Sequence, residues 1–335
     1  MTIEKRIHTF CALGKRLQHL SADELASLVD KIKSENAWFT PESIEMALNG
    51  IITMLDESKL KIWLSNYKLP ELNTPKTVAL IMAGNIPLVG FHDLLCVLIS
   101  GHHAQVKPSS KDSASFQFIV RELIALDPDM QTKITATDRL KDFDAVIATG
   151  SDNSSRYFDY YFGKYPNIIR RNRTSCAVLT GNETENDFRA LAKDVFSYFG
   201  LGCRNVSKLY VPTGYDFSAL LDSWEMFSEI RHHHKYTNNY DYQKSIMLVN
   251  SVPFLDNGFV MITQSEKTVS PISVLHYEYY TNQQELETKI ASVRDKLQCI
   301  VGSSLPATIP FGQAQFPELW DYADGVDTLK FLLTL

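Results

Sequence analysis

The chain has 335 residues, 44% of them hydrophobic and 21% charged, with a formal net charge of −6. That length favours two packed domains over one, and the acidic balance excludes a general nucleic-acid binder, which needs a basic face. The five cysteines (Cys11, Cys96, Cys176, Cys203, Cys299) are scattered without a CxxC, so neither a disulfide framework nor a zinc site is expected.

Residues 1 to about 72 read as helices. Ser21-Ala22-Asp23-Glu24 is a capping-box start, and Thr40-Pro41 places proline at a first helical position. Met1 to Arg16 carries both charge signs and no apolar run, so no signal peptide and a cytoplasmic location are expected. On that expectation the Asn-X-Ser/Thr triplets at Asn153, Asn172, Asn182 and Asn205 are chance. Val78 to Gly101 is the most apolar stretch, yet Asn85, Pro87, His92 and Asp93 interrupt it. A strand, a turn and a buried helix fit it better than a membrane span.

From residue 76 short apolar runs alternate with helical stretches. Strands are expected at 77–82, 104–107, 145–149 and 176–179, and helices at 88–100, 112–126, from about 153, and at 184–198. After the strand-like Lys208-Leu209-Tyr210-Val211-Pro212 come helices near 216–229 and 240–250, strands near 258–263 and 273–280, and a helix at 283–293. This alternation implies α/β architecture with mostly parallel sheets. Ligands in such sheets bind at the carboxyl ends of strands. Those ends here are Gly84-Asn85, Lys107-Pro108-Ser109 and Thr149-Gly150-Ser151, all polar or glycine-bearing. The tail from Phe311 is aromatic and acidic.

Phe199-Gly200-Leu201-Gly202-Cys203-Arg204 sets a single thiol in a glycine turn, where the backbone passes close to a ligand without side-chain crowding. A thiol is a ready nucleophile once activated. By itself the segment also suits a small buried cysteine.

Four segments taken in order resemble the aldehyde dehydrogenases: Ala83-Gly84-Asn85-Ile86-Pro87-Leu88, Lys107-Pro108-Ser109, Thr149-Gly150-Ser151 and Gly200-Leu201-Gly202-Cys203. Within that superfamily three strings look like the acyl-CoA reductases of the LuxC family, the fatty-acid reductases. They are Met82-Ala83-Gly84-Asn85-Ile86-Pro87, Ala177-Val178-Leu179-Thr180-Gly181-Asn182-Glu183 and Asp321-Tyr322-Ala323-Asp324-Gly325-Val326-Asp327. The resemblance implies an aldehyde-dehydrogenase-like fold of two Rossmann-related parallel-sheet domains with a helical N-terminal lead-in. The expected division is a helical region at 1–72, an NADP-binding domain at 73–175 and a catalytic α/β domain at 176–300. A C-terminal segment at 301–335 is expected to pack on the cofactor domain or on an oligomer interface. A homo-oligomer, dimer or larger, is implied as well.

The implied chemistry is NADPH-dependent reduction of an acyl thioester, acyl-CoA or acyl-protein, to an aldehyde through an acyl-cysteine. Cys203 would be the nucleophile, and Asn85, with the backbone N–H of Cys203, the oxyanion donor. Lys107 and Ser109 would lie beneath the adenosine ribose. Ser110 and Lys111 stand where NAD-selective relatives carry a glutamate, so NADPH is expected over NADH. Gly150 and Ser151 would receive the pyrophosphate at a helix start. Cys96 and Cys176 are expected to be inert in helix and strand cores. The stretch matching the water-activating glutamate segment is Ile169-Arg170-Arg171-Asn172-Arg173 and holds no carboxylate. Its arginines would bind coenzyme or cofactor phosphates, or form a solvated basic turn. His232-His233-His234 lacks ligand spacing for a metal. His92, His102, His103 and His276 are alternatives for a general acid. Competing readings are an NAD(P)-dependent aldehyde dehydrogenase working by oxidation, and a non-catalytic nucleotide-binding protein of the same fold.

Overall fold

In the computed structural model, which describes residues 1–69, 74–150, 152–304 and 306–335, the chain forms two units. The first unit comprises Met1–Asn172 and Pro317–Leu335, and the second Arg173–Phe316.

The first unit opens with α1 (Ile3–Gln18), α2 (Ala22–Glu35), α3 (Pro41–Met54) and α4 (Glu57–Leu64). Ser21 and Glu24 cap α2 reciprocally, and Thr40 caps α3 ahead of Pro41. There follow β1 (Thr77–Ile81), α5 (Phe91–Ser100), β2 (His103–Lys107), α6 (Ser113–Leu126), β3 (Ile134–Ala136), β4 (Ala145–Thr149), α7 (Asp152–Phe162) and β5 (Asn167–Arg170). The five strands are parallel in the order β3-β2-β1-β4-β5. The order reverses between β1 and β4, which makes the carboxyl ends of those strands the natural crevice. Helix α5 is buried along its length from Leu94 to Ser100, as the apolar run required. No helix among the described residues is long and apolar enough to cross a membrane. Phe10, Leu13 and Leu17 of α1 enter the same apolar cluster as Val78 and Leu80 of β1. The N-terminal helices therefore share a core with the first sheet.

The second unit contains β6 (Thr174–Val178), α8 (Glu185–Phe196), β7 (Val206–Pro212), α9 (Ser218–Trp224), α10 (His234–Val249), β8 (Leu255–Asp256), β9 (Met261–Gln264), β10 (Val274–Tyr280), α11 (Gln283–Val293) and β11 (Leu297–Val301). Its sheet runs β11-β6-β7-β10-β9-β8. Every pairing is parallel except β8 with β9, which is antiparallel, so the sheet is mixed at one edge. Strands β3, β5, β8 and β11 were not expected from the pattern, being short or flanked by polar residues. The helix expected at 216–229 stops at Trp224 and continues as a tighter 3-10 turn. The strand expected from 258 begins only at Met261, because Gly258 (φ +93) makes a turn first.

The C-terminal segment is shared: residues to Phe316 belong to the second unit, and Pro317–Leu335, with α12 (Thr328–Leu332), to the first. Within the first unit Trp63 Nε1 donates to the Tyr322 hydroxyl (2.7 Å), Tyr67 donates to Asp327 (2.9 Å) and Lys59 pairs with Glu318 (2.7 Å). The deepest tie is Arg170 at the end of β5. Its side chain is 7% exposed, it forms an ion pair with Asp93 of α5, and its Nη2 donates to Thr328 Oγ1 (2.8 Å). Removing one member of such a pair strands a buried charge, whereas replacing both can be near neutral. Arg170→Met is expected to lower stability by about 3–5 kcal/mol in urea unfolding, and Asp93→Leu added to it to recover most of the loss. A single variant as stable as wild type would show that the pair is dispensable.

Candidate active site

Of the five cysteines, four are buried and Cys203 alone is partly exposed. Burial pushes the Cys176 thiol up to about 12, and raises Cys96 and Cys11 above the ordinary thiol range. Those three are protonated at neutral pH and poor nucleophiles.

The turn carrying Cys203 begins where α8 stops. Tyr198 (φ 51), Phe199 (φ 58) and Gly200 (φ 77) take left-handed backbone in succession. For the two residues with a Cβ this conformation costs about 1–2 kcal/mol each. The surrounding side chains hold it. Asn205, 2% exposed, directs its amide nitrogen to the carbonyls of Asp194 (3.1 Å), Val195 (3.3 Å) and Ser197 (2.8 Å), all left open by the end of α8. Its Oδ1 accepts the Gly202 N–H (2.8 Å), and its own N–H donates to the Gly202 carbonyl (3.1 Å). The Phe199 ring packs on His233 (centroids 4.3 Å apart), whose Nδ1 caps α10 by accepting the Tyr236 N–H (3.4 Å). His233 thus works as a cap and a packing surface.

Beneath the thiol, Ser175 of β6 donates its hydroxyl to the Cys203 carbonyl (3.1 Å) and accepts the Cys299 N–H (3.2 Å). Ser175 Oγ also lies 2.9 Å from Cys299 Sγ. With the serine proton committed to Cys203, the Cys299 thiol is the donor in that contact. Arg204 Nε donates to the Ala314 carbonyl, and Asp194 accepts the N–H groups of Gly312 (2.6 Å) and Ala314 (2.9 Å). Burial pushes the Asp194 carboxyl up to about 6. The thiol therefore stands at the amino end of β7, in a turn fixed from α8, β6 and the 312–314 segment.

In the first unit Asn85 is exposed just past β1. A Cβ on Gly84 would stand 2.4 Å from Ser109 Oγ, so only glycine lets this loop lie against the one after β2. Lys107 and Ser110 are exposed, and Ser109 Oγ accepts the Lys111 N–H (3.2 Å). Gly150 directly follows β4, where a Cβ would meet Ser154 (2.9 Å) and Phe158 (2.8 Å) of α7. Asn85, Lys107, Ser109, Ser110 and Gly150 thus gather at the carboxyl ends of three neighbouring strands. Ser151 lies outside the described residues.

Several expectations change. Arg170 is buried against Asp93 and is unavailable to a phosphate. Arg171 pairs with Asp159 (3.1 Å), and Arg173 donates to the Leu297 carbonyl (3.1 Å). His102 uses both ring nitrogens on backbone, at Lys76 N (3.1 Å) and Leu332 O (2.9 Å). His92 contacts the Leu319 carbonyl (2.9 Å) and His276 the Lys267 carbonyl (3.1 Å), and burial depresses the basicity of both, as it does for His103. Sequence reasoning missed Asn205, Ser175 and Asp194. For Asn205 the signal was its place two residues after the thiol, which the chance triplet Asn-Val-Ser obscured.

The acyl-CoA reductase (LuxC) family model matches residues 15–219. The chain belongs to that family. At the sequence level no curated protein matches. Among solved structures, aldehyde dehydrogenase 21 of Physcomitrella patens, in complex with the reaction product succinate, superposes with a TM-score of 0.66. That match is 11% identical and covers 100% of this chain and 84% of that one. An aldehyde dehydrogenase of Mycobacterium tuberculosis complexed with NAD+ gives 0.62 at 13% identity, over 86% and 71%. An E. coli NADP-dependent enzyme gives 0.66 at 11% identity, over 91% and 74%. Identities this low speak for the fold alone, which is that of the aldehyde dehydrogenases. LuxC-family membership and this fold together support an NAD(P)-linked oxidoreductase acting at the aldehyde level.

Two outcomes test the site. Iodoacetamide on the native protein should label Cys203, with the four buried thiols reacting only after unfolding; peptide mapping reads the positions. Asn205→Ala leaves three carbonyls without their donor and should lower stability by about 2–3 kcal/mol while changing the Cys203 alkylation rate. An unchanged alkylation rate would show that Asn205 does not set the turn.

Proposed function

We propose that the protein reduces an acyl thioester, acyl-CoA or acyl-protein, to the aldehyde through an acyl-Cys203 intermediate, with NADPH as the reductant. The observation that carries this reading is Cys203 itself. It is the one cysteine that is not buried, presented by a turn held from three sides, in a chain of the acyl-CoA reductase family.

Cys203 attacks the thioester carbonyl carbon as thiolate. The new carbon–sulfur bond forms as the carbon becomes tetrahedral, and its collapse breaks the bond to the donor thiol, which leaves as thiolate and takes a proton from water. Asn85 is assigned the oxygen that turns negative in this step. Removing one such donor lowers rate by about 10²–10³. The donor set at the strand ends of the first unit fits a phosphorylated ribose: Lys107 and Lys111 are cations, and Ser109 and Ser110 supply hydroxyls. With Gly150 these residues would hold the cofactor. The cofactor, when bound, would supply the hydride that converts the acyl group to the aldehyde. Cys203 carries the acyl group until that transfer and is returned as thiolate. Ile169 to Arg173 offers no carboxylate to activate water, and Arg170 is already ion-paired, so the acyl-enzyme is left for reduction.

Intact-mass spectrometry with a panel of acyl-CoA thioesters tests the intermediate. An adduct on Cys203 that disappears on adding NADPH, with aldehyde released, is expected, and Cys203→Ala should form none. An adduct lost equally fast without cofactor would point to hydrolysis or transfer, and no adduct from any thioester would sink the reading. For the cofactor, kcat/KM should favour NADPH over NADH, and Lys111→Glu should cut that preference at least about tenfold, the effect of some 1.4 kcal/mol.

A further inference from the structure

Asp112 stands at the start of α6, 6% exposed, with no role in the chemistry above. It borders a small cavity whose other walls are apolar, among them Met82, Leu94, Phe116 and Ile119. Its Oδ2 accepts the backbone N–H of Leu88 (2.8 Å). Leu88 has φ 58, a left-handed backbone that a leucine adopts only when its surroundings compel it. Leu88 closes the loop that begins at Gly84 and carries Asn85. The opposite end of this loop is also held, since Asn36 Nδ2 donates to the Gly84 carbonyl (3.4 Å).

We propose that Asp112 is the positioning residue of the Asn85 loop, fixing it through the Leu88 amide in the geometry that acyl transfer uses. This rests on the assignment of Asn85 as oxyanion donor.

The hydrogen bonds around Asp112 suit a neutral carboxyl. Oδ1 is paired with Ser115 Oγ, and that hydroxyl also donates to the Asp112 backbone carbonyl (3.2 Å). A proton on Oδ1 therefore has an acceptor in Ser115 Oγ, while Oδ2 stays free to accept from Leu88. The charged group facing it from α2 is Glu35, which caps α6 by accepting the Ala114 N–H (2.8 Å) and repels a second negative charge. Lys111, its neighbour, is exposed, and α5 presents Phe91 and Leu94. Burial first, and Glu35 after it, push the Asp112 carboxyl up to about 8. The sign follows. A carboxyl whose folded pKa is raised holds a proton that the unfolded chain has already lost above about 4. Its contribution to stability is complete below that and declines as pH rises to about 8. Above pH 8 the clamp carries an uncompensated buried charge, which favours opening the pocket to water.

The test compares Asp112→Asn with Asp112→Ala. Asparagine reproduces the neutral acid, with an N–H toward Ser115 and an oxygen toward Leu88, and cannot ionise. The single-turnover rate of Cys203 acylation should remain within about twofold of wild type in D112N at pH 7. It should persist above pH 8, where wild type falls. D112A should be about 10- to 100-fold slower at both pH values. Hydrogen exchange at the Leu88 amide, read by mass spectrometry without substrate, should accelerate in D112A and not in D112N. D112N as slow as D112A, or D112A as fast as wild type, would overturn the proposal. If wild type forms no acyl adduct, the functional reading fails and amide exchange decides the clamp alone: equal exchange in all three proteins would overturn it.

Discussion

Three successive left-handed residues at the end of α8 set the terms for the thiol. Tyr198, Phe199 and Gly200 turn the chain so sharply that the last carbonyls of the helix lose their helical partners. A backbone of this kind persists only when its neighbours over-determine it. The Asn205 amide does so by taking up three of those carbonyls and the Gly202 N–H together. Cys203 lies within the span that this one side chain closes. Ser175 adds a hydrogen bond from β6 to the Cys203 carbonyl, so Cys203 rests on a strand as well as on a turn. Sites supported by rigid elements in this way hold their geometry better than sites on loops alone.

The first unit solves a related problem at the carboxyl ends of β1 and β2. Its loops must approach closely, which Gly84 permits against Ser109. The Asn85 loop is held at both ends by side chains from elsewhere in the unit, Asn36 at Gly84 and Asp112 at Leu88. In both units a buried amide or carboxyl satisfies strained backbone, beside Cys203 in one and beside the Asn85 loop in the other. Buried polar groups of this kind destabilise unless every bond is made, and once made they specify one conformation.

The arginines at the end of β5 and just after it show how burial overrides composition. Arg170-Arg171-Asn172-Arg173 reads as a basic turn fit for phosphates. In the fold Arg170 points into the core of the first unit, meets Asp93 and reaches Thr328 of α12. With Trp63 and Tyr67 on Tyr322 and Asp327, it fastens the last residues of the chain to the first sheet. The aromatic, acidic tail is thereby part of the first unit's core.

The sequence by itself determined the alternation of strands and helices, the capped helices at Ser21 and Thr40, the strand ends bearing Asn85, Lys107 and Gly150, and the thiol at Cys203. These are local signals, written in periodicity, in glycine and proline, and in short spacings. The tertiary structure alone decided which polar side chains are buried and whom they meet. Asn205 looked like part of a chance triplet, Asp112 like an ordinary helix start, and Arg170 like a free cation. Their roles depend on partners up to 158 residues away, as for Arg170 and Thr328. Short edge strands such as β3 and β11 are likewise defined by the neighbour they pair with. A residue type states which bonds it can make, and only the packed chain determines which partners exclude water from it.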